Sequence, residues 1–117
     1  MSPKHGDRVA PPGGRTHWEI RFLETDAARG WEDLCQQAPD NTLVAWETMR
    51  RMPTPLAFSS RHHRLRRQLA TGAVKGRVLD HWQIEVTGAG RVWYLVDEEN
   101  RTVWIDYAGP GHPKPTE

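Results

Sequence analysis

Apolar and polar side chains alternate in four segments of the chain, a pattern typical of half-buried β-strands. These segments are residues 16–23, 81–87, 91–96 and 102–107. Short turn sequences, Gly88-Ala89-Gly90 and residues 97–101, separate the last three segments. Because connections this short join antiparallel neighbours, the pattern predicts one separate strand followed by a three-strand meander.

Two stretches with apolar residues at helical spacing lie between the first and second strands. The first is predicted to start at a capping Asp26 and to end at Pro39, and the second to start at Asp40 and to end at Met52-Pro53. Only a turn separates them, so they should form an antiparallel helix hairpin. Farther along, residues 61–69 predict a short helical turn and residues 70–80 a loop.

Period-two alternation assigns the strand side chains to two faces of the sheet. The predicted core face carries Trp18, Ile20, Phe22, Trp82, Ile84, Val86, Val92, Tyr94, Val96, Val103, Ile105 and Tyr107. The helix hairpin, with Leu43, Trp46 and Met49 on one side of its second helix, can cover that face and give a two-layer α+β domain. The opposite face carries Arg21, Gln83, Glu85, Arg91, Trp93, Leu95, Trp104 and Asp106, and function is expected there.

Length and composition limit the class of protein. The chain has 117 residues, 37% hydrophobic residues and six tryptophans, which predicts a single folded domain over residues 16–117 behind a flexible leader at 1–15. No apolar run approaches the roughly 20 residues of a membrane span, so a cytoplasmic protein is expected. The single cysteine, Cys35, excludes an internal disulfide and a cysteine-built zinc site.

Charge is distributed unevenly along the chain. Residues 1–47 and 80–117 are both net negative, whereas residues 48–79 contain eight Lys or Arg and no Asp or Glu. An acid-free block of this kind is typical of a phosphate-binding surface. The alternative is a basic patch that docks on an acidic partner protein.

Three pieces of the sequence resemble the RelE/ParE superfamily of toxins from bacterial type II toxin–antitoxin modules. They are HRLRRQL at residues 63–69, WQIEVTGAGRVWYLVDEE at 82–99 and TVWIDYAGPGHPK at 102–114. The resemblance implies a RelE-like fold and an antitoxin protein as partner. The superfamily contains ribosome-dependent mRNA endonucleases, DNA gyrase poisons and inert relatives, so it leaves the activity open.

The resemblance also implies roles for individual residues. Arg91 matches the arginine with which nuclease members hold the scissile phosphate, His112 matches a tail residue that assists the leaving group, and His63 lies near the position of a base. Two features depart from the nuclease pattern: Gln83 and Glu85 stand where the best-known nuclease has lysines, and no tyrosine follows His112.

Metal-free RNA cleavage needs a base for the ribose 2′-hydroxyl, cations at the phosphorus and an acid for the departing 5′-oxygen. His63, His112, Arg91 and Glu85 are the candidate catalytic residues, although Glu85 and Arg91 can equally form a plain cross-strand ion pair. His63 can instead cap a turn, and His112 can simply hydrogen-bond within the tail. No cofactor is expected, and no metal site is expected either, because the side chains of His62 and His63 diverge on any regular element.

The candidate RNA-binding residues are cations of the basic block and tail, together with two tryptophans. They are Arg61, Arg64, Arg66, Arg67, Lys75, Arg77, Lys114, Trp93 and Trp104. The tryptophans would stack on bases, or alternatively lie beneath the arginine-rich loop. The first functional hypothesis is a ribosome-associated mRNA endonuclease. The alternative is a non-nuclease toxin that inhibits DNA gyrase by protein contact, or an inactive relative that only binds an antitoxin.

Overall fold

The computed structural model describes residues 4–6 and 17–111, and its strands form one sheet with two helices on one side. Most of the predicted leader, together with His112 and Lys114, lies outside the described residues. The elements are β1 (Glu19–Phe22), α1 (Thr25–Gln37), α2 (Pro39–Arg51), β2 (His62–Arg64), a 3₁₀ turn (Arg67–Leu69), β3 (Thr71–Val74), β4 (Arg77–Glu85), β5 (Arg91–Asp97) and β6 (Thr102–Gly109). The predicted α+β class is confirmed.

The sheet has the order β1-β6-β5-β4-β2, and β3 pairs with the other end of β4. β1 runs parallel to β6, and all other pairs are antiparallel. Within the described residues, no helix is long and apolar enough to cross a membrane. Strands β4, β5 and β6 thus form the predicted three-strand meander, and β1 lies beside its last strand, β6.

The helix hairpin forms where it was predicted, but its capping differs. Ala38 alone separates the two helices, and Pro39 is the first residue of α2 rather than the end of α1. A proline fits the first turn because its missing N–H would have no partner there. Asp26 and Asp40 lie in first turns instead of at the caps. The connection is closed by Thr42, whose hydroxyl donates to the Ala38 carbonyl at 2.7 Å.

The prediction of a helical turn and a loop between residues 61 and 80 was largely wrong. Only the 3₁₀ turn Arg67–Leu69 is helical, and β2 and β3 raise the number of strands from four to six. β3 and β4 meet at Lys75 and Gly76, which have φ angles of 50° and 79°. Two successive left-handed residues form the tight turn that best matches the twist of a hairpin. A Lys-Gly pair is a weak signal for this turn, so the hairpin was missed.

The core lies between the helices and the predicted face of the sheet. Trp82, Ile84, Val92, Tyr94, Val103 and Ile105 are all buried there, together with Ala27, Leu34, Ala45 and Met49 of the helices. At Gly30 a Cβ atom would lie 1.6 Å from the Ala108 carbonyl oxygen, so α1 rests directly on β6. Only glycine permits so close an approach.

Three assignments to the core were wrong. β6 carries a bulge, because Trp93 pairs with Tyr107 while Tyr94 pairs with Ile105. The extra residue, Asp106, turns Tyr107 to the outer face and brings Ala108 into the core. Phe22, on the edge strand β1, remains 44% exposed, and Leu43 on α2 is 53% exposed.

Candidate nucleic-acid interface

The outer face of the sheet, opposite the helices, divides into two halves. One half lies at the β3–β4 hairpin and is apolar: Val74, Leu79 and Leu95 form a small second core against Leu23 and Trp104. The other half is polar and contains His63, His81, Gln83, Glu85, Arg91, Trp93, Asp106 and Tyr107. We call this second half the polar face. It is the candidate functional site.

A chain of hydrogen bonds crosses the polar face from β5 to β2. The Trp93 indole N–H donates to Gln83 Oε1 at 2.8 Å, and Gln83 Nε2 lies 3.3 Å from His63 Nε2. His63 Nδ1 lies 2.8 Å from the Arg64 carbonyl oxygen, which can only accept. This contact requires a proton on Nδ1 of His63. Nε2 faces Gln83 on the outer side of β2.

A second histidine, His81, was not among the predicted site residues. Its Nε2 lies 2.8 Å from Asp106 Oδ2 and its Nδ1 lies 2.7 Å from the Leu69 carbonyl oxygen. Its backbone N–H donates to the Ala70 carbonyl, and its own carbonyl accepts from the Leu65 N–H. His81 therefore fastens the 65–70 loop to the sheet. The alternation along β4 could have placed His81 on the outer face, because it lies two residues before Gln83. The bulge in β6 that lets Asp106 reach His81 leaves no signal in the sequence.

Glu85 and Arg91 pair across one hairpin, as their positions in sequence allow. Glu85 Oε1 lies 3.4 Å from Arg91 Nη1, and Glu85 Oε2 lies 3.6 Å from Arg61 Nε. Arg91 Nη1 also donates to the carbonyls of Thr87 and Gly90. The Arg91 side chain is only 13% exposed, so it is held firmly at the margin of the polar face.

An open groove of about 1040 Å³ lies beside His63. Residues 58–60 and 63–70 line it, and none of them is acidic. Arg66 and Arg67 are exposed in this lining, and no ion pair joins either to a carboxylate among the described residues. The groove therefore combines accessible positive charge with an imidazole.

Other candidate cations are already neutralised by carboxylates from outside the basic block. Arg64 lies 2.9 Å from Asp80, and Arg77 lies 2.9 Å from both Asp97 and Glu99. These acids follow residue 79 in sequence and reach the block only through sheet pairing. The sequence predicted an acid-free surface over the whole basic block. In the fold, Arg64 and Arg77 have acidic partners, and the acid-free part is the groove with Arg66 and Arg67.

The two tryptophans proposed for base stacking are poorly placed for it. Trp93 is 6% exposed, and its indole N–H is bound to Gln83. Trp104 packs on the apolar half of the outer face, and the Lys75 ammonium lies 5.7 Å from its ring centroid. Trp104 therefore lies beneath Lys75 of the basic block, whereas Trp93 lies among His81, Gln83 and Tyr107.

The start of the tail lies against the polar face. The Tyr107 ring is 5.7 Å from that of Trp93, and its hydroxyl donates to the Gly111 carbonyl at 2.9 Å. Burial raises the pKa of Tyr107, which keeps this hydroxyl protonated. Gly111 directly precedes His112, which together with Lys114 lies outside the described residues.

His62 and His63 diverge onto opposite faces of β2. His62 Nε2 donates to the Tyr94 hydroxyl on the core side, and that hydroxyl donates to the Pro53 carbonyl at 2.7 Å. In the part of the chain that the structure describes, no three His, Cys, Asp or Glu residues are grouped to hold a metal ion.

Comparisons with known proteins show the fold. No protein-family model and no curated protein matches the chain. Among solved structures, YoeB from Staphylococcus aureus, described as a dimer, has a TM-score of 0.57 at 13% identity, covering 82% of this chain and 99% of its own. A metal-bound toxin from Helicobacter pylori has a TM-score of 0.54 at 10% identity, covering 79% and 92%.

A third structure, the RelBE2 toxin–antitoxin complex from Mycobacterium tuberculosis, has a TM-score of 0.49 at 24% identity, covering 81% and 92%. Sequence identities this low show likeness of fold alone. The RelE-like toxin fold predicted from the sequence is thereby confirmed.

Proposed function

We propose that this protein is the toxin of a type II toxin–antitoxin module and that it cuts mRNA on the ribosome without a metal ion. The observation that carries the proposal is the position of His63 in a groove whose described lining contains Arg66 and Arg67 and no acidic residue. Such a groove suits a phosphodiester backbone, and a histidine is able to exchange protons near neutral pH.

His63 would act as the base. Its Nδ1 proton is held by the Arg64 carbonyl, so Nε2 is the nitrogen that can take the proton of a ribose 2′-hydroxyl. That hydroxyl would replace the long 3.3 Å contact to Gln83. The 2′-oxygen then bonds to the adjacent phosphorus while the bond from phosphorus to the 5′-oxygen breaks. The products are a 2′,3′-cyclic phosphate and a free 5′-hydroxyl.

Arg91 would stabilise the negative charge that develops on the phosphate, and protonated His112 would supply the proton to the 5′-oxygen. The contact between Tyr107 and Gly111 supports this role for His112, because it brings the residue before His112 to the polar face. Glu85 lies between two guanidinium groups and is better suited to position Arg91 than to act as a base.

The test compares cleavage with binding. His63→Gln should lower cleavage of mRNA on programmed ribosomes by about 100-fold or more, the typical contribution of a general base. Binding of a non-cleavable 2′-O-methyl RNA should change little. His17→Gln, at a histidine outside the groove, is the matched control. Unchanged cleavage in His63→Gln would remove His63 from the mechanism.

A toxin that binds DNA gyrase without cutting RNA is the second candidate. It is favoured by the carboxylates that neutralise Arg64 and Arg77, because they weaken the positive field available to phosphates. Expression in a bacterial host, followed by mapping of mRNA 5′ ends and a supercoiling assay on one lysate, separates the two. Codon-phased cuts with normal supercoiling support the nuclease, and the reverse supports the gyrase inhibitor.

An antitoxin is the proposed protein partner in either case, because the RelE-like fold is shared with toxins of such modules. It can cover the polar face, or pack beside the helix hairpin where Leu43 and Val44 are 53% and 65% exposed. Covering the polar face would abolish RNA binding by the complex, whereas packing on α2 would leave it intact. A binding assay on the purified complex distinguishes these placements.

A further inference from the structure

We infer that Phe58 is a stacking platform for a base of the single-stranded RNA bound in the groove. This inference rests on the proposed function and replaces the stacking role first assigned to Trp93 and Trp104. The Phe58 side chain is 62% exposed and lines the same groove as His63, Arg66 and Arg67. An aromatic ring exposed beside cations is the combination with which proteins bind single-stranded nucleic acid.

The segment that follows Phe58 is tied closely to the edge of the sheet. Ser59 and His62 exchange two backbone hydrogen bonds, of 3.1 and 3.3 Å. The Ser59 hydroxyl accepts from the backbone N–H groups of Arg61 and His62. This closed turn fixes the direction in which the chain enters β2, so Phe58 is held in place before any ligand binds. Prior ordering of this kind reduces the entropy lost on binding.

The contact between Phe58 and the core leaves ring surface available. The Phe58 and Trp82 rings lie 5.4 Å apart and are nearly perpendicular, at 88°. A perpendicular contact occupies at most one face of the Phe58 ring. Trp82 is buried at 4% exposure, so it supports the platform without competing for the ligand.

Charge complementarity identifies the occupant as a polynucleotide rather than an apolar peptide. Arg66 and Arg67 offer accessible positive charge in the groove, and none of the described residues that line it is acidic. A phosphate chain satisfies these cations while its bases supply flat apolar surfaces for Phe58. Stacking of this kind tolerates any base, so the platform would add affinity without sequence preference.

The experiment measures binding to two probes: a 2′-O-methyl RNA octamer and an abasic sugar–phosphate chain of the same length. Phe58→Leu should weaken binding to the octamer by about 5-fold or more, the usual loss when one stacked base is removed. Binding to the abasic chain should not change, and Phe58→Trp should restore the octamer affinity. Phe22→Leu is the matched control, because Phe22 is the only other phenylalanine and lies on the edge strand β1.

The outcomes separate the platform from the nuclease proposal. Equal losses on both probes, or no loss on the octamer, would overturn the platform and leave the nuclease proposal standing. A wild-type protein that binds neither probe would overturn both. A base-dependent loss in a protein that cuts no mRNA would support the platform and overturn the nuclease. Circular dichroism and thermal melting of each variant establish that the fold is retained.

Discussion

His62 and His63 are adjacent in sequence, yet they lie in opposite environments. His62 faces the helices, where its ring is hydrogen-bonded to the Tyr94 hydroxyl, and burial lowers its pKa from 6.5 to about 4. His63 faces outward, and its Nε2 lies 3.3 Å from Gln83 Nε2 on the polar face. One residue step along a strand therefore separates a structural histidine from a candidate catalytic one.

The difference shows that the segments packed on each face of the sheet determine whether its side chains are buried or accessible. The helices pack on the inner face, and the β3–β4 hairpin lies at the apolar half of the outer face, where Leu79 and Leu95 are buried. Among the described residues, the polar face is covered only in part, by the 65–70 loop that His81 holds and by the Tyr107–Gly111 contact, and the groove beside His63 is open. Alternation along a strand separates two faces, but the long-range pairing of other segments decides which one remains accessible.

The largest expected effect concerns the inner face. Leu34 is fully buried against the sheet, so Leu34→Ala should lower the free energy of unfolding by about 2–5 kcal/mol. Leu43→Ala on α2, where the side chain is 53% exposed, should change it by no more than about 0.5 kcal/mol. Urea unfolding of both variants measures the contrast. Similar losses would show that α2 is packed differently from its position here.

The next effect concerns the polar face. Arg91→Ala should reduce RNA cleavage by about 100-fold or more, as removal of other charge-stabilising groups does. His112→Ala should cause a comparable loss while RNA binding stays nearly intact, because its proton is needed only in the transition state.

The double variant of Arg91 and His112 should lose less than the sum of the two single losses, since both residues act on one step. Single-turnover cleavage and binding of non-cleavable RNA provide the two measurements. Full cleavage in either single variant, expressed at the wild-type level, would remove that residue from the mechanism. Full toxicity of both would favour the gyrase-binding candidate.

The sequence predicted the elements whose signals are local. The helix hairpin and the β4–β5–β6 meander follow from periodicities within each segment, and most of the core face follows from alternation. β2 and β3 could not be predicted in the same way. β2 has three residues and β3 four, and both depend on pairing with β4 rather than on their own apolar pattern.

Prediction of the site failed where side chains depend on partners distant in sequence. Alternation placed Gln83, Glu85 and Arg91 correctly on the outer face. It could not show that Asp80 and Asp97 neutralise Arg64 and Arg77, because those contacts exist only in the folded sheet. The β6 bulge escaped detection for the same reason, and with it the pairing of His81 with Asp106.

A third prediction uses the lowered pKa of His62. Burial disfavours the charged imidazolium in the folded state, so the unfolded chain binds the proton more readily between pH 6.5 and about 4. The stability that His62 contributes is complete above pH 6.5 and is lost as the pH falls through this window. The slope should be at most about 1.4 kcal/mol per pH unit.

Urea unfolding from pH 7 to pH 4 tests this prediction by comparing wild type with His62→Gln. The other histidines are common to both proteins, so the difference in slope reports His62 alone. Identical slopes would mean that His62 is solvated in the folded protein and does not belong to the inner face.

The smallest effect distinguishes accessible arginines from neutralised ones. If Arg66 and Arg67 contact phosphates, changing both to Gln should reduce the slope of log affinity against log salt by roughly 0.7 for each contact to a single strand. Arg77→Gln should leave this slope unchanged, because Arg77 is already paired with Asp97 and Glu99. It should instead lower stability, since the Asp97 side chain is only 4% exposed and would lose a charged partner.

Fluorescence anisotropy of labelled 2′-O-methyl RNA at several salt concentrations gives the slopes, and urea unfolding gives the stabilities. If Arg77→Gln changed the slope as much as the Arg66 and Arg67 variant, the whole basic block would act as one surface, and the distinction drawn from the carboxylate partners would be wrong.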